Sequence, residues 1–190
     1  MAKAGTPRFF NDRAKDDWVR SQLPPVPAGA AVREAHYPRF LRDMCEKLDL
    51  ESRTVWDHYG CGYASYVDGW FYRETAEFRR PPYADGGHHF TGVYAQLCRL
   101  GPYFVMGEGA KSWTKSGGGS YLPSFAMLDV FPTPAVASLA GKIARHLAHH
   151  GLVRLGKSDL AIQLPPGYDI DTNISDGPLR LYDALFFWFD

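Results

Sequence analysis

The sequence predicts a single α+β domain built on a mostly antiparallel sheet, and three observations lead to this fold class. The length of 190 residues suits one hydrophobic core. Apolar residues recur at three-and-four spacing in two segments, which is typical of amphipathic helices. Aromatic and β-branched runs with short turns between them fill the middle of the chain, as in β-hairpins. We therefore expect residues 1–190 to form one domain, with an N-terminal helix and a proline-rich strap in 1–35 and the core in 36–190.

The first 48 residues are predicted to contain two helices separated by this strap. Residues 11–22 form a short polar helix with Trp18 and Val19 as its anchors. The segment 23–31 cannot be helical, because its three prolines fix their own φ and bias their neighbours toward extended conformations. A second helix is expected at 38–48, where apolar residues recur at helical spacing after a proline that suits the first turn.

Two hairpins are predicted in the middle of the chain. In the first, Asp68-Gly69 matches the central pair of a type I′ turn, which would pair Val67 with Trp70. In the second, the segments TGVYAQLC and YFVMGEG flank a turn at 99–102. The segment 124–131 is expected to form a further strand.

The clearest helix is predicted at 134–150, because Thr133 can act as its N-cap and Gly151 can end it. A short strand, GLVRL, is expected after it. The chain then ends with LRLYDALFFWFD, which has four aromatic residues in its last five positions. Aromatic residues on both faces suit a strand buried in a sheet. We therefore expect a terminal strand inserted centrally in the sheet and covered by the 134–150 helix.

The composition restricts the possible partners and the compartment. Lys+Arg and Asp+Glu both number 21, which argues against a nucleic-acid binder that uses a broad basic face. The three cysteines are too few for a disulfide framework and fit a reducing compartment. The N-terminal segment lacks the apolar core of a signal peptide, and no window is apolar enough to span a bilayer. We expect a cytoplasmic protein with no cofactor, no nucleic-acid partner and no membrane partner.

A catalytic site at Cys61 is one alternative that the sequence leaves open. His58 and His88 are the imidazoles that would lower the pKa of its thiol and activate it as the nucleophile of a hydrolase or transferase. No family signature surrounds Cys61, and core or loop positions explain these residues better than a catalytic site does. Our main prediction is therefore that the protein is not an enzyme.

A metal site is a second alternative, because His146 and His150 lie four residues apart on one face of the predicted 134–150 helix. This spacing can chelate zinc. The glutamate of the HExxH motif is absent, however, and the sequence supplies no third ligand at a recognisable distance. Donor side chains in a last helical turn also satisfy free carbonyls, so the main prediction includes no metal.

Aromatic residues are the third source of candidate site residues. The chain has 11 Tyr, 5 Trp and 12 Phe, more than one core of this size readily buries. Tyr and Trp are favoured at protein–protein hot spots. We therefore predict a partner-binding surface composed of aromatic residues in the middle of the chain: Trp70, Tyr72, Tyr83, Trp113 and Tyr121.

The C-terminal third carries a family resemblance. A helix ending in HHGLVRL is followed by LPPGYDIDT and then by LYDALFFWFD. Over residues 152–190 this pattern resembles single-domain proteins encoded beside bacterial polymorphic toxins as their immunity partners. The resemblance implies a protein without catalytic activity that binds a toxin domain, encoded nearby, and blocks its active site or substrate groove. It identifies no interface residues.

Overall fold

The α+β fold class is confirmed by a computed structural model, which describes residues 10, 12–27, 34–56, 63–81, 87–115, 117–173 and 177–189. Within these ranges, the five α-helices are α1 (Arg13–Gln22), α2 (Tyr37–Leu48), α3 (Pro134–His149), α4 (Lys157–Leu160) and α5 (Leu181–Leu185). The strands are β1 (Glu51–Val55), β2 (Tyr63–Ala64), β3 (Tyr66–Tyr72), β4 (His88–Cys98), β5 (Tyr103–Trp113), β6 (Gly118–Ser120), β7 (Val153–Arg154) and β8 (Trp188–Phe189). None of the helices in this part of the chain is long and apolar enough to cross a membrane.

The three predicted helices α1, α2 and α3 are confirmed, and their ends follow from local chemistry. The Asp12 carboxylate accepts hydrogen bonds from the Ala14 and Lys15 N–H groups at the start of α1, at 2.8 and 3.3 Å. Proline occupies the first turns of α2 and α3, where it lacks only an N–H that has no helical partner. Gly151 follows α3 with a positive φ of 85°, the conformation that commonly ends a helix.

The main sheet has the strand order β1-β3-β4-β5-β6, with antiparallel neighbours throughout. The β4–β5 hairpin and the short strand β7 are confirmed, and β7 pairs with β5 in parallel. Helices α2 and α3 pack with Val93, Ala95 and Leu97 in one hydrophobic cluster. A second cluster joins α4 and α5 to Tyr66 and Cys98. The sheet therefore supports two separate cores.

The predicted turn at Asp68-Gly69 is wrong, because both residues lie in the middle of β3. Asp68 pairs with Val55 on one side and with Gln96 on the other. Glycine occurs here because of close packing and not because of a turn: a Cβ at Gly69 would lie 2.7 Å from the ring of Phe71. Val67 and Trp70 consequently pair with residues of other strands and not with each other.

The strand predicted at 124–131 is also wrong. Residues Phe125–Met127 form a 3₁₀ turn, and Asp129 has a positive φ of 59° that breaks the extended conformation. The segment nevertheless contacts β5, because the Asp129 N–H donates to the Met106 carbonyl at 3.0 Å.

The C-terminal segment is buried as predicted, but its conformation and its place in the fold differ from the prediction. Leu181–Leu185 form α5, and Trp188–Phe189 form β8, which pairs with β2 in a separate two-stranded sheet. Ser65 anchors the turn between them, since its Oγ accepts from the Phe187 N–H at 2.8 Å and donates to the Leu185 carbonyl at 2.9 Å. A central strand under α3 is therefore wrong, because this segment packs in the second cluster and α3 packs in the first.

Glycines in β4 and β5 allow aromatic rings to lie directly on the sheet. A Cβ at Gly107 would lie 2.6 Å from the Tyr94 ring, and a Cβ at Gly109 would lie 2.5 Å from the Tyr121 ring. The rings of Tyr94 and Tyr121 stack on each other with centroids 5.2 Å apart. These strand glycines are thus required by packing.

Gly107→Ala is expected to lower the free energy of unfolding by about 1–3 kcal/mol, because the added methyl group would overlap both the Met127 carbonyl oxygen and the Tyr94 ring. Gly141→Ala in α3 is the matched control. Its Cβ would meet only the Arg145 side chain, at 3.8 Å, so alanine should raise stability by about 0.5–1 kcal/mol. Urea unfolding of both variants checks the opposite signs; equal effects would contradict this account of Gly107.

Phe186→Ala is expected to cost about 3–5 kcal/mol, because Phe186 is fully buried in the second cluster. Leu122→Ala should change stability by less than about 0.5 kcal/mol, since Leu122 is 58% exposed. Thermal or urea unfolding measures both. A Phe186 variant as stable as the Leu122 variant would show that the C-terminal segment is not part of the core in solution.

Candidate functional site

A groove lies between the two ends of the main sheet and has a volume of about 770 Å³. One wall is Arg53, Thr54 and Val55 of the edge strand β1. The other wall is Lys111–Trp113 of β5 and Gly118–Ser120 of the edge strand β6. We call this feature, lined by these nine residues, the edge groove. Its position means that two sheet edges face the same space.

A cation–π contact crosses the edge groove. The guanidinium carbon of Arg53 lies 3.9 Å from the centre of the Trp113 ring, well within the range of such contacts. Arg53 is in β1 and Trp113 is in β5, three places away in the strand order. Side chains can meet across that span because the sheet is curled. The curl therefore creates the groove and gives it a cationic, aromatic rim.

Two ionisable residues, Asp68 and Lys111, are buried beside the groove. The Tyr121 hydroxyl lies 2.9 Å from both carboxylate oxygens of Asp68, and the Lys111 ammonium lies 5.0 Å from the Tyr121 ring centre. Burial raises the pKa of Asp68 to about 6, although the nearby Lys111 charge and the Tyr121 hydrogen bond act in the opposite direction. Burial likewise lowers the pKa of Lys111, partly offset by Asp68. Both groups therefore lose solvation in their charged forms.

The structure places the predicted aromatic residues in three different situations. Trp70 and Tyr72 are buried, so the expectation that they lie at the surface is wrong. The cause is the misplaced turn, since β3 is a central strand and not a hairpin tip. Trp113 and Tyr121 are partly exposed, with Trp113 in the groove wall. Tyr83 lies outside the described residues.

The thiol-based alternative gains no support from the described cysteines. Cys98 is fully buried, and burial raises its pKa to about 12. Burial also raises the pKa of Cys45. His88 is exposed, and its ring stacks on Trp113 with centroids 5.3 Å apart. Cys61 and His58 lie outside the described residues, so this alternative stays a prediction.

Glu108 is a buried carboxylate with a structural role. It accepts hydrogen bonds from the Thr91 hydroxyl at 2.9 Å and the Thr133 hydroxyl at 2.7 Å. It also accepts from the Thr133 N–H at 2.9 Å, where α3 begins. A carboxylate at this position stabilises the positive end of the helix dipole. Glu108 thus fixes α3 against the sheet.

His146 and His150 do meet a third potential metal ligand, Asp43 of α2. The Nε2 atom of each histidine lies 3.7 Å from the Asp43 Oδ2 atom. The sequence reveals the histidine pair through its helical spacing. It gives no sign that α2 packs against this turn of α3, so Asp43 could not be found in advance.

The sequence pattern also gave no indication that Arg53, Asp68 and Lys111 would come together in or beside the groove. Asp68 was misinterpreted because an Asp-Gly pair is a strong turn signal. Arg53 and Lys111 lie on different strands, and each alone is an ordinary charged residue. An aspartate and a lysine inside strands otherwise rich in aromatic residues are the one local signal that could have marked this face.

Comparison with known proteins does not assign the chain to a family. No protein-family model matches it, and neither a curated protein nor a solved structure is significantly similar to it. The geometry of the described residues is therefore the basis for a functional proposal.

Asp68 should make stability depend on pH. Its pKa rises from 3.8 to about 6 on folding, so the folded protein keeps a proton that the unfolded chain has released. The stability from the neutral carboxyl is fully present below about pH 4 and is lost as pH rises through about 6. Between these limits the free energy of unfolding of the wild type should fall by up to about 3 kcal/mol relative to that of Asp68→Asn.

Urea unfolding from pH 4 to 7.5 measures this pH dependence, with Asp17→Asn at an exposed position as control. Parallel curves for the wild type and Asp68→Asn would contradict it.

Proposed function

We propose that the protein is a non-catalytic binding protein whose edge groove receives an acidic segment of a protein partner. One observation carries this proposal: the described residues that line the groove include two cations, Arg53 and Lys111, and no carboxylate. The lining also includes Trp113 and hydroxyl groups. Arg and Trp are the side chains most enriched at the energetic centres of protein interfaces.

The backbone of the groove supports an extended partner segment. β1 and β6 are the ends of the strand order, so in the described part of the chain each has one side that no strand pairs with. Such edges bind extended peptides by main-chain hydrogen bonds, while pockets select the side chains. The exposed Arg53 would then pair with a carboxylate of the segment, and the charge of the buried Lys111 would add to the positive potential of the groove.

The partner we propose is a bacterial toxin domain, with this protein as its immunity-type inhibitor in the cytoplasm. The support is the resemblance of residues 152–190 to immunity proteins. Those residues contribute to the second cluster, so in this proposal they form the scaffold and the groove makes the contact. The toxin surface that fits the groove carries acidic side chains next to its active site or substrate groove.

Co-expression with the product of the adjacent gene, followed by gel filtration, tests this function. We expect the two proteins to co-elute. Arg53→Glu should weaken the complex at least about 10-fold, or about 1.4 kcal/mol, because it places a carboxylate against the acidic segment. Arg145→Glu, an exposed position on α3, is the matched charge reversal and should leave binding unchanged.

The salt dependence separates a charged contact from an apolar one. Affinity measured by calorimetry should fall as ionic strength rises, and this dependence should be weaker in Arg53→Ala. The proposal fails if the neighbouring product does not bind. The assignment of the contact to the edge groove is wrong if the Arg53→Glu and Arg145→Glu variants bind the partner equally well.

A further inference from the structure

Three potential metal ligands converge where α2 packs on the end of α3. His146 and His150 are one helical turn apart, so their side chains extend from the same face. Asp43 extends from α2 toward both of them. One ligand atom from each of the three residues lies within 4.8 Å of the other two. This cluster shares no residue with the edge groove.

The distances suit a first-row transition metal after a small adjustment. Zinc binds histidine nitrogen and carboxylate oxygen at about 2.0–2.2 Å, which places two tetrahedral ligand atoms about 3.3 Å apart. Both Nε2 atoms lie 3.7 Å from the Asp43 Oδ2 atom. Closing each of these two gaps needs a shift of a few tenths of an ångström. The two imidazole nitrogens lie within 4.8 Å of each other, so side-chain rotation must also bring them closer, by up to about 1.5 Å.

One nitrogen in the cluster has an unmet requirement. The His150 Nε2 atom is buried and has no hydrogen-bond partner among the residues that the structure describes. Its distance of 3.7 Å from Asp43 is too long for a hydrogen bond. Buried polar atoms in folded proteins are nearly always paired. A bound cation would satisfy this nitrogen and the adjacent carboxylate together.

Two existing contacts of the ligand atoms would compete with a metal ion, and both can be broken at little cost in free energy. The Lys47 ammonium lies 2.9 Å from Asp43 Oδ2, but its side chain is 61% exposed and can turn to water. The His146 Nε2 atom lies 3.2 Å from the Phe40 carbonyl. That carbonyl lies inside α2, where a backbone N–H one turn later is its regular donor. Releasing the histidine therefore leaves no carbonyl unpaired.

We propose that Asp43, His146 and His150 bind a divalent transition-metal ion of the zinc type. Two imidazoles and one carboxylate are a donor set that favours Zn²⁺ and its neighbours in the first row over Ca²⁺ and Mg²⁺, which prefer oxygen. Three ligands leave a coordination position open. The side chains of Asp43 and His150 are 36% and 30% exposed, so water or an external ligand can reach that position. The ion would also connect α2 to α3.

Calorimetric titration of Zn²⁺ into tag-free, chelator-treated protein tests the site. We expect one ion per chain. His150→Ala and Asp43→Ala should each weaken binding at least about 10-fold. His149→Ala is the matched control on the same helix and should bind like the wild type, because His149 is exposed and lies outside the cluster.

Two further measurements keep the test decisive if a histidine variant folds poorly. Lys47→Ala should bind Zn²⁺ more tightly than the wild type, because it removes the cation that competes for Asp43. Co²⁺ should give a visible absorption band in the wild type that is lost in Asp43→Ala, and excess Mg²⁺ should not displace it. No Zn²⁺ binding, or equal affinity in the wild type, His150→Ala and Asp43→Ala, would overturn the proposal.

Discussion

The contact of aromatic rings with strand glycines is the constraint on which this structure depends. Trp70, Tyr94 and Tyr121 occupy space that a Cβ at Gly92, Gly107 or Gly109 would fill. The Trp70 indole also donates to the Gly109 carbonyl at 2.9 Å. Because the rings lie this close to the backbone, Tyr121 can reach the Asp68 carboxylate. The buried contact between Tyr121 and Asp68 beside the edge groove therefore follows from the glycine positions in β4 and β5.

Sequence periodicity and turn residues correctly predicted the elements whose conformation depends mainly on neighbouring residues in the chain. The helices α1, α2 and α3 and the β4–β5 hairpin follow from apolar spacing, prolines and turn residues. Asp68-Gly69 shows the limit of such signals, since glycine serves a tight turn and a close ring contact equally well. The C-terminal segment is a similar case. Leu181, Tyr182, Leu185 and Phe186 have helical spacing, but their aromatic content favoured a strand.

The candidate sites show the same division between local and tertiary information. His146 and His150 belong to one helix, so their spacing alone marks them as a possible chelating pair. Asp43 enters only through the packing of α2 on α3. Arg53 and Trp113 likewise meet only because the sheet curls. The sequence could therefore identify the site residues that lie within one element. The residues that other elements contribute could be identified only from the way the elements pack together.

The edge groove and the α2–α3 cluster have one property in common: each contains buried polar groups whose burial costs the folded protein free energy. Burial disfavours the charged forms of both Asp68 and Lys111, and such buried pairs often stabilise a fold less than apolar residues would. The buried His150 nitrogen, which lacks a hydrogen-bond partner within the described part of the chain, is a second cost, in the α2–α3 cluster. A sequence selected for stability alone has no reason to place these groups there. Groups whose environment opposes their charge cluster at functional sites, and a ligand that supplies the missing partner recovers the cost. The edge groove and the α2–α3 cluster are thus two places in the described chain where a bound ligand would recover part of such a cost.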